Sequence, residues 1–441
     1  MARVVVVGGG LGGSATAARV AKLGHDVTLL ERSDRLGGAL VAATGDGPSD
    51  FTWDAGPSTT LLPAVLRDLF RKSGRPLERE LELVATDLLR EHRFEDGSVL
   101  RLPSSRAGQL HAVEELGPGL GQAWVDHVAS YAEEWEVLRR HYLEVPWDPA
   151  ALPRELASIL DRRESLRRRL ARSLRDPRLR LVAAHPFVAD GHDPRDVPSW
   201  AGVRSYVEQR FGAWSFTGGA DALARALTAR LATRRVDVRT GVTATDVVVR
   251  GGRAVAVATS AGEIDADVVV CAIDPRGLPA LASYVARTTP AIPPVVCHVG
   301  VDGEAAAAAG VPAGSHDLVV HGDPMLVVRP GGTAPDGARA VTVHGRGRLA
   351  EDILLALARQ GVDLRPGLIT RVDRSPRDLV AQWGGSPLGV QWQGRRTVRR
   401  RLGPHTPVPG VLAAGAHATP GSGIPFVGLS AALVAQVVGP A

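Results

Sequence analysis

Of the 52 basic residues in this 441-residue chain only two, Lys22 and Lys72, are lysines; the rest are arginine. A high-GC coding bias accounts for that imbalance. No zinc-finger, helix-turn-helix or RNP pattern accompanies the net charge of +5, so nucleic acid is not expected as a partner. Cysteine is nearly absent. Cys271 and Cys297 lie far apart and form neither a CxxC nor a zinc spacing, which excludes a dithiol centre and a disulfide framework. No metal site is expected, and both thiols fall in apolar stretches that read as buried structure. No run approaches the ~20 apolar residues that cross a bilayer. Met1-Ala2-Arg3 leads straight into a strand with no room for a secretory signal, so the expected location is cytoplasmic.

What is present is the balance of a globular protein, with 44% hydrophobic and 22% charged residues. A chain of this length exceeds one ordinary core, and two intertwined domains are expected. Val4 to Val7 form an apolar run suited to a strand buried on both faces. Gly12 to Leu23 follow with helical spacing, Gly24 stops the helix, and His25 to Glu31 return as a strand. Phe94 and Val99 flank a hairpin turn, and Ser104-Ser105 can cap helices that continue through Tyr131 and Trp135. Residues 161–180 form an arginine-dense amphipathic stretch with Leu166, Leu170 and Leu174 at i, i+4 spacing. Gly218-Gly219 opens a helix to about Ala232. Strands 242–249 and 254–259 pair across Gly251-Gly252, and 268–273 is a buried strand. Residues 290–400 read as strand-rich, and the chain closes on a strand into Gly415 and a helix over 429–438.

Gly8-Gly9-Gly10-Leu11-Gly12-Gly13 satisfies G-x-G-x-x-G between an apolar strand and a helix, with Glu31 ending the next strand. Gly8 permits the tight turn, Gly10 lets the backbone approach a pyrophosphate, and Gly13 brings helix and strand together. The helix N-terminus, from Leu11 through Ser14, offers free N–H groups to a diphosphate. Glu31 would accept hydrogen bonds from the adenosine ribose and would repel a 2′-phosphate, leaving NAD or FAD.

The residues after Glu31 point to FAD. Glu31-Arg32-Ser33-Asp34-Arg35-Leu36-Gly37-Gly38, followed by Ala39, resembles the extended signature of flavoprotein desaturases and amine oxidases. Phe51 to Ser58, Gly212 to Gly219, 236–245 and 266–275 resemble later blocks of the same enzymes. At the C-terminus, Gly410 to Gly415, then His417 and Pro420-Gly421-Ser422-Gly423-Ile424-Pro425, is similar to the motif that closes over the flavin in bacterial-type phytoene desaturases, within the flavin amine oxidase-like superfamily.

That resemblance implies an α/β fold: a two-dinucleotide-fold, Rossmann-like FAD domain built from residues 1–80, 212–290 and 400–441. Residues 81–211 and 291–399 would form a mixed-sheet and helical substrate domain. It implies cofactor contacts from Gly8, Gly10, Leu11, Gly12, Gly13, Ser14, Glu31, Arg32, Gly37, Gly38, Ala39, Gly56, Pro57, Ser58, Val242, Ala272, Gly415, Gly423, Ile424 and Pro425. It also implies hydride transfer from a long apolar isoprenoid or carotenoid-like small molecule to flavin, by desaturation or a related oxidation or isomerisation. No acid–base dyad is legible, and His417 is the polar candidate on the substrate side. Two alternatives stay open: a flavin amine or secondary-metabolite oxidase, and a non-catalytic prenyl-lipid binding module of the same fold. The absence of lysine after Lys72 counts against amine oxidation, since amine oxidases of this fold commonly use a mid-chain lysine. The stretch 161–180 carries a further expectation, peripheral contact with an anionic membrane, set against the plainer reading that its leucines pack on the domain.

Overall fold

The computed structural model describes residues 1–45 and 50–441. Four consecutive valines start the first strand's apolar run, and the strand (Arg3–Val7) lies in the middle of a five-stranded parallel sheet. Across the sheet the order is Asp237–Arg239, Asp26–Leu30, Arg3–Val7, Val268–Cys271, Val411–Ala413. Both faces are covered, as a parallel sheet requires. Val4 and Val6 pack with Ala17, Ala18 and Val20 of the opening helix (Leu11–Lys22) and Val434 of the C-terminal helix (Ile424–Val438). Val5 and Val7 pack with Val257, Leu278 and Leu281, on the side of a three-stranded antiparallel sheet (Ala244–Arg250, Arg253–Thr259, Gly262–Asp265). The opening helix sits unusually close to the strand. A Cβ at Gly13 would stand 1.8 Å from the Gly8 carbonyl oxygen, and one at Gly12 would stand 2.8 Å from the Gly415 Cα.

A seven-stranded mixed sheet forms the second layer, in the order Leu368–Arg374, Val295–Asp302, Ala338–Arg346, Met325–Pro330, Asp317–Val320, Leu88–Arg93, Val99–Pro103. Strand side chains alternate between faces. Val341, Val343, Leu326, Val328 and Leu318 turn one way, onto the helix Ile353–Arg359. Val319, Met325 and Val327 turn the other way, toward Val188 and Ala189 of the helix Pro177–Ala189. Helices between Arg106 and Phe211 surround a core rich in tryptophan, including Trp124, Trp135, Trp147 and Trp200.

Several elements differ from the sequence expectation. Residues 161–180 are not one helix: Leu166–Ser173 ends at Leu174, whose backbone is extended, and Asp176 caps a new helix starting at Pro177. Leu166, Leu170 and Leu174 are all buried in the tryptophan-rich core. Arg169 is buried with them, donating to Glu134 at 2.8 and 2.9 Å and lying over the Tyr131 ring. The apolar face proposed for lipid contact therefore faces the protein interior, and the exposed side is mostly arginine. The region 290–400 carries helices among its strands, and the C-terminal helix begins at Ile424 instead of residue 429. Among the described residues no helix is long and apolar enough to cross a membrane.

Candidate active site

Parallel α/β sheets bind ligands beyond the carboxyl ends of their strands. Here four strands end at Leu30, Val7, Cys271 and Ala413. The residues just past those ends, Glu31, Gly8, Ala272 and Gly415, line one cavity of about 580 Å³. That volume lies within the usual range for small-molecule and cofactor sites.

Two helices point their N-termini into this cavity. The opening helix contributes Gly10, Leu11 and Gly12, and the C-terminal helix contributes Gly423, Ile424 and Pro425. A Cβ at Gly10 would touch nothing within 4 Å, so the backbone there faces open cavity. Gly37 and Gly38 both have positive φ, 120° and 55°, and bring their loop against this turn, where the Gly37 N–H donates to the Gly9 carbonyl at 2.9 Å. Glu31 is held in place from both sides. Its Oε2 accepts the Gly9 N–H at 2.7 Å, and its Oε1 accepts the N–H and hydroxyl of Ser33 at 2.9 and 2.8 Å. The donors and dipoles of two helix ends, an uncovered glycine backbone and an oriented carboxylate fit a dinucleotide: diphosphate at the helix ends, ribose at the acid.

Ala39, Gly56, Pro57, Ser58 and His417 also line the cavity. Arg32 lines it too, but its guanidinium is engaged elsewhere: it donates to the carbonyls of Ala381 and Gln382 at the end of the helix Pro376–Trp383. Three expected contacts stand back from the cavity. Gly13 faces the Gly8 carbonyl, Ser14 donates its hydroxyl to the Gly9 carbonyl at 3.1 Å, and Val242 donates its N–H to the Glu31 carbonyl at 3.0 Å. These three shape the site without lining it, because each is spent on holding turn, helix and strand end together.

His417 is buried, and the geometry sets its tautomer. Nε2–H donates to the Ser386 carbonyl at 2.9 Å, leaving Nδ1 as a lone-pair nitrogen with no hydrogen-bond partner. Asp274 Oδ1 stands 3.8 Å from Nδ1, too far for a hydrogen bond, and is paired with Arg276 at 3.0 Å. Burial pushes the imidazole below its ordinary pKa, against the pull of Asp274, so it is neutral near pH 7. A neutral imidazole with a free lone pair can accept a proton or a hydrogen bond. Both cysteines are free and buried, and burial raises the Cys271 thiol to about 12. Neither lysine lines the cavity.

Sequence reading missed the charged far wall. Arg90, Arg204, Arg329 and Arg346 line the cavity with Asp190, Glu208 and Asp317, and so do His185 and His344. They come from several strands and helices spread along the chain, and no single local pattern gathers them. Asp54 lies inside the expected block Phe51 to Ser58 but carries no expected role there. It is buried, and burial raises its pKa against the opposing charge of Arg329.

Comparison with known proteins decides what this architecture is. Residues 11–439 match the model of the flavin containing amine oxidoreductases. This chain belongs to that family. Its members include proteins of the kind the C-terminal motif resembles. A 4,4′-diapolycopene oxygenase of Methylomonas sp. is 27% identical, covering 98% of this chain and 97% of that one. A hydroxyneurosporene desaturase of Cereibacter sphaeroides is 29% identical over 99% and 97% of the two chains. The solved cyclohexylamine oxidase from Brevibacterium oxydans shares the fold, with a TM-score of 0.63 at 17% identity and 99% coverage of both chains. The expected likeness to bacterial carotenoid desaturases and the α/β FAD-binding fold are thus both borne out. As a member of the family the chain is an FAD-dependent oxidoreductase, which removes the reading as a non-catalytic binding module.

Proposed function

We propose that this flavoenzyme oxidises a long isoprenoid chain of carotenoid type, by desaturation or a closely related hydride removal. The observation that carries the reading is the continuity of the cavity. From the turn at Gly10 it runs past the C-terminal helix to aliphatic walls at Leu61, Leu88, Leu89, Val296 and Val327. An extended apolar molecule can therefore enter the same space that receives the cofactor. Relatives named for carotenoid desaturation and oxygenation support the substrate class.

FAD, when bound, supplies the hydride acceptor. Gly8, Gly10, Leu11, Gly12, Glu31, Gly37 and Gly38 would hold its adenosine and diphosphate part, and Gly415, Gly423, Ile424 and Pro425 its ring side. The FAD domain is taken as residues 1–80, 212–290 and 400–441, and the substrate domain as 81–211 and 291–399. His417 stands among the flavin-side motif residues on the cavity wall with a free lone pair, so it would receive a proton or orient the substrate. The aliphatic walls exclude water from the reacting carbon. Amine oxidation is disfavoured because no lysine lines the cavity.

The test is anaerobic mixing of the FAD-loaded protein with polyenes, prenyl alcohols and an amine panel, following loss of the oxidised flavin band. Bleaching by polyenes and not by amines is the expected outcome. Bleaching by amines alone would reverse the assignment.

A further inference from the structure

The far wall of the cavity is formed by one face of the seven-stranded sheet together with the helices Pro177–Ala189 and Val203–Phe211, and most of its charges are matched. Arg329 donates to both oxygens of Asp317 at 2.9 and 2.8 Å. Arg90 does the same with Glu208 at 3.0 and 2.6 Å. Arg204 meets Asp190 at 3.1 Å. Bidentate pairing of this kind is strong and directional.

Arg346, at the end of the strand Ala338–Arg346, has no carboxylate of its own. Its Nε donates to the Ala189 carbonyl at 2.8 Å and its Nη1 to the Ile292 carbonyl at 2.5 Å, while Nη2 is buried without a partner. Burial lowers its pKa to about 10, against the pull of Asp190, so it is still a cation at neutral pH. Two more unmatched atoms stand on the same wall. His185 Nδ1 lies one helical turn before Ala189, and His344 Nε2 shares the strand face of Arg346; both are buried and unpartnered. A guanidinium largely withdrawn from water, whose nearest carboxylate is already paired with Arg204, and buried polar atoms without partners both carry a desolvation cost that nothing in the protein offsets. A hydrocarbon terminus arriving here would leave both costs in place. An anionic oxygen terminus would relieve them.

We propose that this wall is a carboxylate-binding site, and that the substrate is an isoprenoid acid whose carboxylate is held by Arg346 while its chain runs back toward the flavin side. The proposal rests on the isoprenoid reading above and specifies that substrate's end group. On this wall Arg90, Arg204 and Arg329 each meet a carboxylate and Arg346 meets none of its own, which fits one added negative charge beside Arg346.

The test compares retinoic acid with retinol on the FAD-loaded protein, at low salt and neutral pH, by perturbation of the flavin absorption band. The expected result is tighter binding of the acid by about tenfold or more, equivalent to ~1.4 kcal/mol. Arg346→Gln is expected to bring the two affinities within about twofold of each other, and Arg346→Lys to keep a preference for the acid. Retained FAD absorption reports that each variant has folded. Equal affinities in the unaltered protein overturn the proposal, as does an acid preference that survives Arg346→Gln. If retinol binds and a neutral polyene bleaches the flavin while the acid shows no advantage, the carboxylate site alone fails. If no polyene of either kind binds, the isoprenoid reading fails with it.

Discussion

Two glycines one turn of helix apart make opposite demands on their surroundings. A methyl group at Gly13 would collide with the Gly8 backbone, whereas at Gly10 it would project into open cavity. Gly13→Ala is therefore expected to cost about 1–3 kcal/mol of stability through overpacking. Gly10→Ala, at a φ of −71° that alanine accepts, should change stability by less than ~0.5 kcal/mol. Its effect should appear in FAD affinity, weakened about tenfold or more because the methyl occupies space needed by the diphosphate. Thermal unfolding of the apoprotein and FAD titration by fluorescence quenching separate the two. Unchanged FAD affinity in Gly10→Ala would place the diphosphate elsewhere. Both residues belong to one short motif, so their importance was legible in the sequence, but their division of labour was not. Which glycine faces a ligand and which faces a backbone depends on how closely helix, strand and cavity approach in space.

At the scale of elements, the arginine-rich segment shows how a helical pattern can mislead. Leucines four residues apart predict an apolar stripe, but periodicity does not say what covers it. Here the tryptophan-rich core does, and Glu134 recruits Arg169 inward. Leu170→Ala should cost about 2–5 kcal/mol in urea unfolding, as other buried leucines do. Arg168→Ala, on the exposed side of the same helix, should stay within ~0.5 kcal/mol. Any binding to anionic vesicles through this segment would be carried by arginines alone, and so should vanish in about 1 M salt, where the screening length is ~3 Å. Binding that persists in high salt would require an exposed apolar face that this helix does not have. The helices within 290–400 were similarly beyond sequence periodicity, because their faces are set by partners distant in the chain.

The whole molecule carries an unusual load of buried neutral histidine. Burial lowers His127, His192, His298 and His321 to about 4, and holds His92, His185 and His344 well below their ordinary value. The unfolded chain takes up protons near the ordinary histidine value of ~6.5, while the folded chain resists until near 4. Between those limits the unfolded state binds more protons, so stability rises with pH through this window. It is fully present above ~6.5 and is lost as pH falls toward 4. Asp54, whose pKa is raised by burial, opposes the trend but is a single group. The melting temperature is expected to fall by roughly 5 °C or more between neutral pH and pH ~5. A flat profile over that range would mean that these imidazoles are already solvated in the folded state.

The sequence by itself determined the cofactor half of this protein. The fingerprint, its flanking strand and helix, Glu31 and the C-terminal motif are local patterns, and local patterns survive translation into structure because neighbouring residues set them. Tertiary structure alone decided the rest. It placed Arg32 on a helix end and withdrew Val242 and Ser14 from the cavity wall. It turned the leucines of 161–180 inward and gathered Arg90, Arg329 and Arg346 onto one wall opposite the helices. Those charged residues lie on three strands, that of Arg90 far in the chain from those of Arg329 and Arg346, and only sheet pairing brings all three to a common face.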